Sequence, residues 1–393
     1  MHGGEDAVIS VLGGGIGGLV ASSILKDKLG NRAIVRLFER KKHFEFPPSY
    51  PWLMLDMRQP EQVQKDMHVL SRKGIEIIND EVVSLDIVDQ NKKEITTKNN
   101  GKFSSDFLVV ALGAEYAPEL IPGFQERAFH IYNLESALKF REAIEKFQGG
   151  TIAIGISRLP FKCPAAPYEV ALLLDDYCRK KGMREGVNFE FFTPETNPLP
   201  AVGPEIGSKV LEFLESRGIN YHPKLKLSEV GEKELKFEGS DITIPYDLLF
   251  CVPPHKAPKV VTEAGLTDPT TGWISVNPET LETKSKGVYA VGDVASLPTP
   301  SGYVPYLPKA GVFAHGQAEV VANNIAVQVR GKGKLRTWDG EGSCFLEVGQ
   351  GKSAFVKGNF LASPRPDIKF HMPDRIWHMQ KVLFEKYWMH HWF

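Results

Sequence analysis

The sequence predicts an α/β protein of two Rossmann-like units followed by an aromatic-rich C-terminal appendage. Three observations predict it. An apolar strand runs into Gly13-Gly-Gly15-Ile-Gly-Gly18 and then a helix; a second strand–turn–helix opens at Thr151; and residues 376–393 hold three Trp, two Phe and one Tyr. At roughly 150 residues per domain, 393 residues allow two units and an extension.

Residues 8–12 read as a short buried strand, 19–29 continue at helical spacing, and 33–38 form the next strand, so the chain opens on a βαβ unit. Residues 40–72, rich in proline and aromatics, lead to an expected helix near 60–73. Short alternating strands follow at 76–78, 81–88 and 94–97, with Asn100-Gly101 as a hairpin turn. A buried strand at 107–112 closes at Gly113. The second opening supplies strand 151–156, helix 168–180, strand 188–193 and helix 207–217. Strands at 246–252 and 288–291 and a helix at 313–329 complete the pattern. Residues 1–118 and 287–330 are therefore expected to form the first, discontinuous unit, 119–286 the second, and 331–393 the appendage.

A net charge of −1 supplies no field that would gather nucleic acid. Four cysteines in this length make no disulfide scaffold, and without CxxC or HxxxH spacing no metal site is expected. No stretch reaches the ~18 apolar residues that span a bilayer, and residues 1–12 lack a signal-peptide pattern. These features predict a soluble or peripherally attached protein on the cytoplasmic side of a membrane.

Gly13, Gly15 and Gly18 have the strand-before, helix-after context that a phosphate-binding turn needs. The first permits the turn, the second lets backbone approach a pyrophosphate, and the third lets helix and strand pack. Glu39 ends the second strand, where a carboxylate can bond a ribose hydroxyl. This pattern does not separate FAD from NAD. Residues 105–113 (SDFLVVALG) and 287–293 (GVYAVGD) resemble the two remaining FAD segments of two-dinucleotide flavoprotein reductases, with Leu112 where Thr is usual. The resemblance implies FAD, held by Gly13, Gly15, Gly18, Glu39, Gly113, Gly292 and Asp293, the last at the ribityl chain.

The second unit lacks the matching grip on a nicotinamide cofactor. Its loop, Gly155-Ile-Ser-Arg-Leu-Pro160, keeps one glycine of three, and the next strand ends Phe191-Phe-Thr193 without an acid at its tip. The loop continues to Cys163, just before a helix. There the helix dipole, Lys162 and Arg158 are expected to favour thiolate.

Residues 44–52 (FEFPPSYPW), 163–169 (CPAAPYE), 308–317 (PKAGVFAHGQ) and 342–345 (GSCF) together resemble sulfide:quinone oxidoreductase and the flavoprotein subunit of flavocytochrome c sulfide dehydrogenase. That resemblance covers nearly the whole chain. It implies a Cys163–Cys344 redox pair beside the flavin, with Lys309 near the isoalloxazine and the quinone end of the site. The third cysteine of many relatives has no counterpart between 113 and 162. Cys178, fifteen residues past Cys163 on one expected helix, would lie roughly 22 Å away, beyond disulfide reach. It and Cys251 read as packing residues.

In the tail, Lys381, Glu385 and Lys386 fall on one side. Trp and Phe on an amphipathic helix with adjoining Lys suit a membrane surface, and burial against the protein's own core or a second copy is the rival reading. The expected function is oxidation of sulfide with electrons passed to membrane quinone. A haem-protein acceptor, an NADH:quinone reductase and a redox-sensing module without turnover are the alternatives.

Overall fold

The computed structural model describes residues 6–89 and 92–393. Its first sheet has five parallel strands in the order Val288–Ala290, Phe107–Val110, Ala7–Leu12, Ala33–Phe38, Glu76–Ile78. The three long strands are buried on both faces, as crossover helices require, which is why they read as continuous apolar runs. Helix Ile16–Leu29 packs against helix Gly311–Arg330 on one side of this sheet.

The second sheet, also parallel, runs Ile219–His222, Val187–Phe192, Gly150–Ile156, Leu248–Val252. Helix Ala166–Lys180 covers it with a face that is buried almost throughout. The predicted α/β class with two Rossmann-like sheets is what the chain forms. Residues Ala257, Val261, Trp273, Ile274 and Leu281 pack into the first core rather than the second, although they fall inside the stretch 119–286. The pairing of Ile274–Ser275 with Ala295–Ser296 ties them there.

The helix expected near 60–73 does not form. Gln64–Asp66 pairs antiparallel with His43–Glu45, and a 3₁₀ turn, Met67–Lys73, follows. Val63, Met67 and Leu70 still reach the core, so the apolar spacing was real, but a non-local strand pair wins over local helix preference. Helix Leu134–Lys146, capped by the Asn133 side chain on the Ser136 N–H, was not foreseen.

The appendage joins both units. Its antiparallel sheet, Glu341–Gly349, Lys352–Asn359 and Asp367–Asp374, adds Leu346, Val348 and Ala354 to the second core. Its last helix, Arg375–His391, sends Trp388, Met389 and Trp392 into the first. Trp388 stacks on Phe44 at 5.0 Å and lies 5.1 Å from Phe46.

The tail helix splits the three charged residues expected on one side. Lys381 and Glu385 are each 5% exposed and Lys386 is exposed, while Ile376, Met379, Leu383, Phe384 and Tyr387 also face outward. Counterions inside the protein explain the two buried charges. Lys381 Nζ lies 2.8 Å from Glu169, and Glu385 receives Arg58 at 2.8–3.0 Å and the Ser49 hydroxyl. A charged face can be buried where its partners are already in place.

Candidate functional site

A cleft of about 1310 Å³ runs from the first glycine loop, between the two sheets, to Cys163. That exceeds the volume a drug-sized ligand needs and suits a dinucleotide. At one end, the N-terminus of helix Ile16–Leu29 opens onto the cleft beside Gly13, Gly14 and Gly15. The glycine roles are geometric. Gly13 has φ +94°, a Cβ on Gly18 would collide with the Gly13 carbonyl, and a Cβ on Gly15 would meet open space. Gly15 is thus where a phosphate can approach backbone. Glu39 Oε2 accepts from the Gly14 N–H at 2.7 Å and Oε1 from the Lys41 N–H at 2.8 Å, which fixes the carboxylate at the cleft wall. Gly113, at φ +69°, has open space beside it. Gly292 donates its N–H to Gln317 at 2.8 Å, and Asp293 follows in a short turn on the same wall. Of the residues singled out for FAD, Gly13, Gly15, Glu39, Gly113, Gly292 and Asp293 line one cleft with room for a dinucleotide, and Gly18 packs behind it against the Gly13 carbonyl.

Lys309 also borders this cleft, but its ammonium is engaged. It donates to the Asp293 carbonyl at 2.5 Å and the Ala295 carbonyl at 3.3 Å, and sits 3.4 Å from the centre of the Trp273 ring. Burial lowers it to about 8, with Asp293 opposing. Its own carbonyl accepts the Cys163 N–H at 2.7 Å. Lys309 thus clamps the cysteine loop onto the Gly292–Val294 turn.

Cys163 occupies the left-handed region at φ 54°, a conformation costing a non-glycine residue about 1–3 kcal/mol. The Lys309 contact and the Ala166 N–H, which donates to the Cys163 carbonyl at 3.0 Å, hold it there. Thiolate activation is not what the surroundings provide. Burial pushes the thiol well above its ordinary range, and charges on Cys344 and Glu169 push the same way, with Lys381 opposing. Arg158 does not assist, because its guanidinium bonds the Leu227 carbonyl and Glu238. Burial likewise pushes Cys344 up to about 12, Glu169 adding and Lys381 opposing. Both thiols therefore respond to the same two charges. All four cysteines are free in the structure, so the Cys163–Cys344 disulfide is not formed in it. Cys178 and Cys251 are buried, as packing residues are.

Sequence reasoning missed the ionic group around the thiols. Glu169, within the 163–169 segment, accepts from Lys381 and from the Glu347 N–H at 2.9 Å, and His378 lies 2.9 Å from Glu347. Burial holds Glu169 above the usual carboxylate range against the pull of Lys381, while Glu169 and Glu347 hold Lys381 above its own range despite burial. An acid six residues after a cysteine, on the inward face of an apolar helix, was the available signal.

The second glycine loop is filled by protein. A Cβ on Gly155 would collide with the Phe192 ring, which itself packs edge-on against Phe237 at 5.2 Å. An acid does stand near the strand tip: Glu195 lies beyond Thr193, contrary to the expectation of none. It is buried, accepts the Tyr168 hydroxyl at 2.6 Å, and is raised by burial to about 7, so it is not free for a ribose.

A family profile described as pyridine nucleotide-disulphide oxidoreductase matches residues 8–159 and 168–320, most of the chain. The chain belongs to that family. Among relatives of this oxidoreductase, the mitochondrial sulfide:quinone oxidoreductase of Mus musculus is 26% identical over 383 residues, covering 92% of this chain and 80% of that protein. The sulfide-quinone reductase of Aquifex aeolicus (strain VF5) is 25% identical over 401 residues, covering 97% and 90%. The solved structure of the sulfide:quinone oxidoreductase from Aquifex aeolicus superposes with a TM-score of 0.89 at 24% identity, over 98% of this chain and 90% of that one. Apart from Ala7, the two parallel sheets of this pyridine nucleotide-disulphide oxidoreductase fall within the residues that the family profile matches.

Proposed function

We propose that this oxidoreductase oxidises sulfide through Cys163 and Cys344, with FAD as its flavin and a membrane quinone as the electron acceptor. One observation carries the reading: two cysteines 181 residues apart in sequence feel the same buried Glu169–Lys381 pair, and Cys163 and Glu169 line the cleft that the first glycine loop also lines. Gly13, Gly15, Gly18, Glu39, Gly113, Gly292 and Asp293 would hold FAD. Bound there, FAD supplies a two-electron redox centre between the thiols and quinone.

The rest is the chain's own chemistry. In the oxidised pair, hydrosulfide attacks Cys163 Sγ. A new S–S bond forms, the Cys163–Cys344 bond breaks, and its electron pair goes to Cys344. The sulfide sulfur leaves oxidised to the sulfane level, and Cys163 carries it as a persulfide. Burial disfavours the thiolate that Cys344 becomes, and Lys381 is the cation that opposes burial and helps keep the electron pair there in reactive form. Lys309 serves as a positioning residue, holding the strained Cys163 backbone against the Gly292–Val294 turn.

An anaerobic absorbance titration tests this directly. Sulfide is expected to bleach the flavin band of the purified protein, and NADH in equal amount to leave it unchanged, because Phe192 covers the Gly155 loop. Bleaching by NADH but not by sulfide would overturn the assignment.

The outward stripe of Ile376, Met379, Leu383, Phe384 and Tyr387 supports peripheral membrane attachment through the tail. No helix among the described residues is long and apolar enough to cross a membrane. Leu383→Glu with Tyr387→Glu is expected to weaken cosedimentation with phosphatidylcholine–phosphatidylglycerol vesicles more than tenfold, since each apolar side chain withdrawn from lipid forfeits about 1.5–3 kcal/mol. Unchanged cosedimentation, with a shift from dimer to monomer on gel filtration, would assign the stripe to a second copy of the chain.

A further inference from the structure

Two neighbouring buried polar atoms lack partners, one of them on the cleft wall beside Cys163, and their valences are complementary. Tyr132 is 5% exposed, yet its hydroxyl makes no hydrogen bond; neither does Nε2 of His255. The two rings meet edge to face at 5.4 Å. The His255 tautomer follows from its other nitrogen. Nδ1 lies 2.7 Å from the Pro253 carbonyl, which can only accept, so Nδ1 carries the proton and Nε2 presents a lone pair. Burial and the nearby Lys162 cation lower His255 to about 3, so the ring stays neutral and Nε2 accepts a hydrogen bond without taking the proton.

The frame around these atoms is fixed. Tyr116 pairs with His255 across a short antiparallel bridge and donates its hydroxyl to the Tyr132 carbonyl at 2.5 Å. The Tyr132 N–H donates to His130 Nδ1 at 3.2 Å, and His130 Nε2 lies 3.3 Å from the Ser136 hydroxyl, so His130 has both nitrogens engaged. What remains is one buried donor and one buried acceptor, each costly to leave unmatched. Tyr132 lines the cleft together with Lys162 and Cys163, and its hydroxyl feels the charge of Cys163.

We propose that Tyr132 and His255 hold the outer sulfur of a Cys163 persulfide, Tyr132 donating its O–H to that sulfur and His255 Nε2 accepting the S–H. The assignment rests on the sulfide-oxidising reading above. The guest must accept one hydrogen bond, donate another, and sit next to Cys163. The –S–SH group formed when hydrosulfide displaces Cys344 meets all three requirements, with its proton retained from hydrosulfide and no further reactant needed. By caging that sulfur, the pair would slow its loss to outside nucleophiles until the thiols are reoxidised.

The test uses the flavin-loaded, oxidised enzyme. One equivalent of sulfide is added anaerobically, cyanide is added as sulfur acceptor, and the extra sulfur on Cys163 is followed by alkylation and mass spectrometry of the peptide. Tyr132→Phe keeps the ring and removes only the hydroxyl. His255→Asn keeps a donor for the Pro253 carbonyl and removes Nε2. Each variant is expected to release sulfur about tenfold faster than the parent, the scale of one lost hydrogen bond, with the flavin band unchanged. Release at the parental rate in both variants would mean that the pair serves only an ordered water, and would overturn the proposal. Absence of any added sulfur on Cys163 in the parent enzyme would overturn the underlying reading as well.

Discussion

Cys344→Ser is expected to lower sulfide-dependent reduction of a soluble quinone such as decylubiquinone by roughly a thousandfold or more, the scale on which deleting a covalent participant acts. Serine cannot form the S–S bond that hydrosulfide attacks, so Cys163 is left a thiol with no electrophilic sulfur. The loss should be chemical rather than structural. Cys344 sits at a strand position paired with Val356, and oxygen for sulfur there changes little volume. None of the glycine-loop contacts involves it, so the flavin band should persist at parental intensity. Steady-state quinone reduction and the visible spectrum, measured side by side, check both halves. Full activity in the variant would remove Cys344 from the mechanism and with it the proposed pair. The same surroundings make the reduced Cys344 slow to alkylate at neutral pH, because burial holds it near 12 and thiolate is the reactive form.

That chemistry was legible in part. The first glycine turn could be read because its constraints are local: Gly18 answers to the Gly13 carbonyl, Gly13 to Ala111 on the adjoining strand, and Gly15 faces open space. The fold class followed from apolar runs whose two-sided burial leaves little choice of partner. Residues 60–73 were misread because their strand partner, His43–Glu45, lies some twenty residues upstream and sequence spacing says nothing of it. The tail differed in another way. Spacing grouped Lys381, Glu385 and Lys386, but only Lys381 and Glu385 share the buried side, and a periodicity is silent on whether that side turns inward. The answer depended on Glu169 and Arg58, residues far upstream whose charges wait inside the fold. Cys163 was expected to be activated by the helix start, Lys162 and Arg158; the folded chain spends Arg158 on Glu238, and burial of the thiol outweighs both the dipole and the charge of Lys162. Tyr132 and His255 were passed over, although His255 stands just beyond the carboxyl end of the strand Leu248–Val252, where parallel sheets place ligands.

The inward-facing lysine gives the second large effect. Lys381→Met should destabilise the protein by about 3–5 kcal/mol, the cost of stripping one partner from a buried ion pair. Lys381 is 5% exposed and Glu169 4%; the ammonium lies 2.8 Å from Glu169 and 4.0 Å from Glu347, itself 1% exposed. Methionine matches the aliphatic stem but leaves two buried carboxyl groups facing each other without a cation, and it forfeits the ammonium's contact 4.7 Å from the Trp52 ring. The loss should appear as a lower urea midpoint. Adding Glu169→Gln should return most of it: the amide oxygen can still accept the Glu347 N–H, and no unpaired carboxylate remains on that side. A double variant no more stable than the single one would show that the unpaired Glu169 carboxylate does not set the cost. The thiols answer to the same two charges. Lys381 lowers both Cys163 and Cys344, so Lys381→Met alone drives both further from thiolate and is expected to slow sulfide oxidation as well as to destabilise the fold. Glu169→Gln removes the carboxylate that raises them, so the double variant is expected to recover the rate together with the stability. Recovered stability with a rate still low would show that Lys381 serves the sulfurs in a way its pairing with Glu169 does not explain.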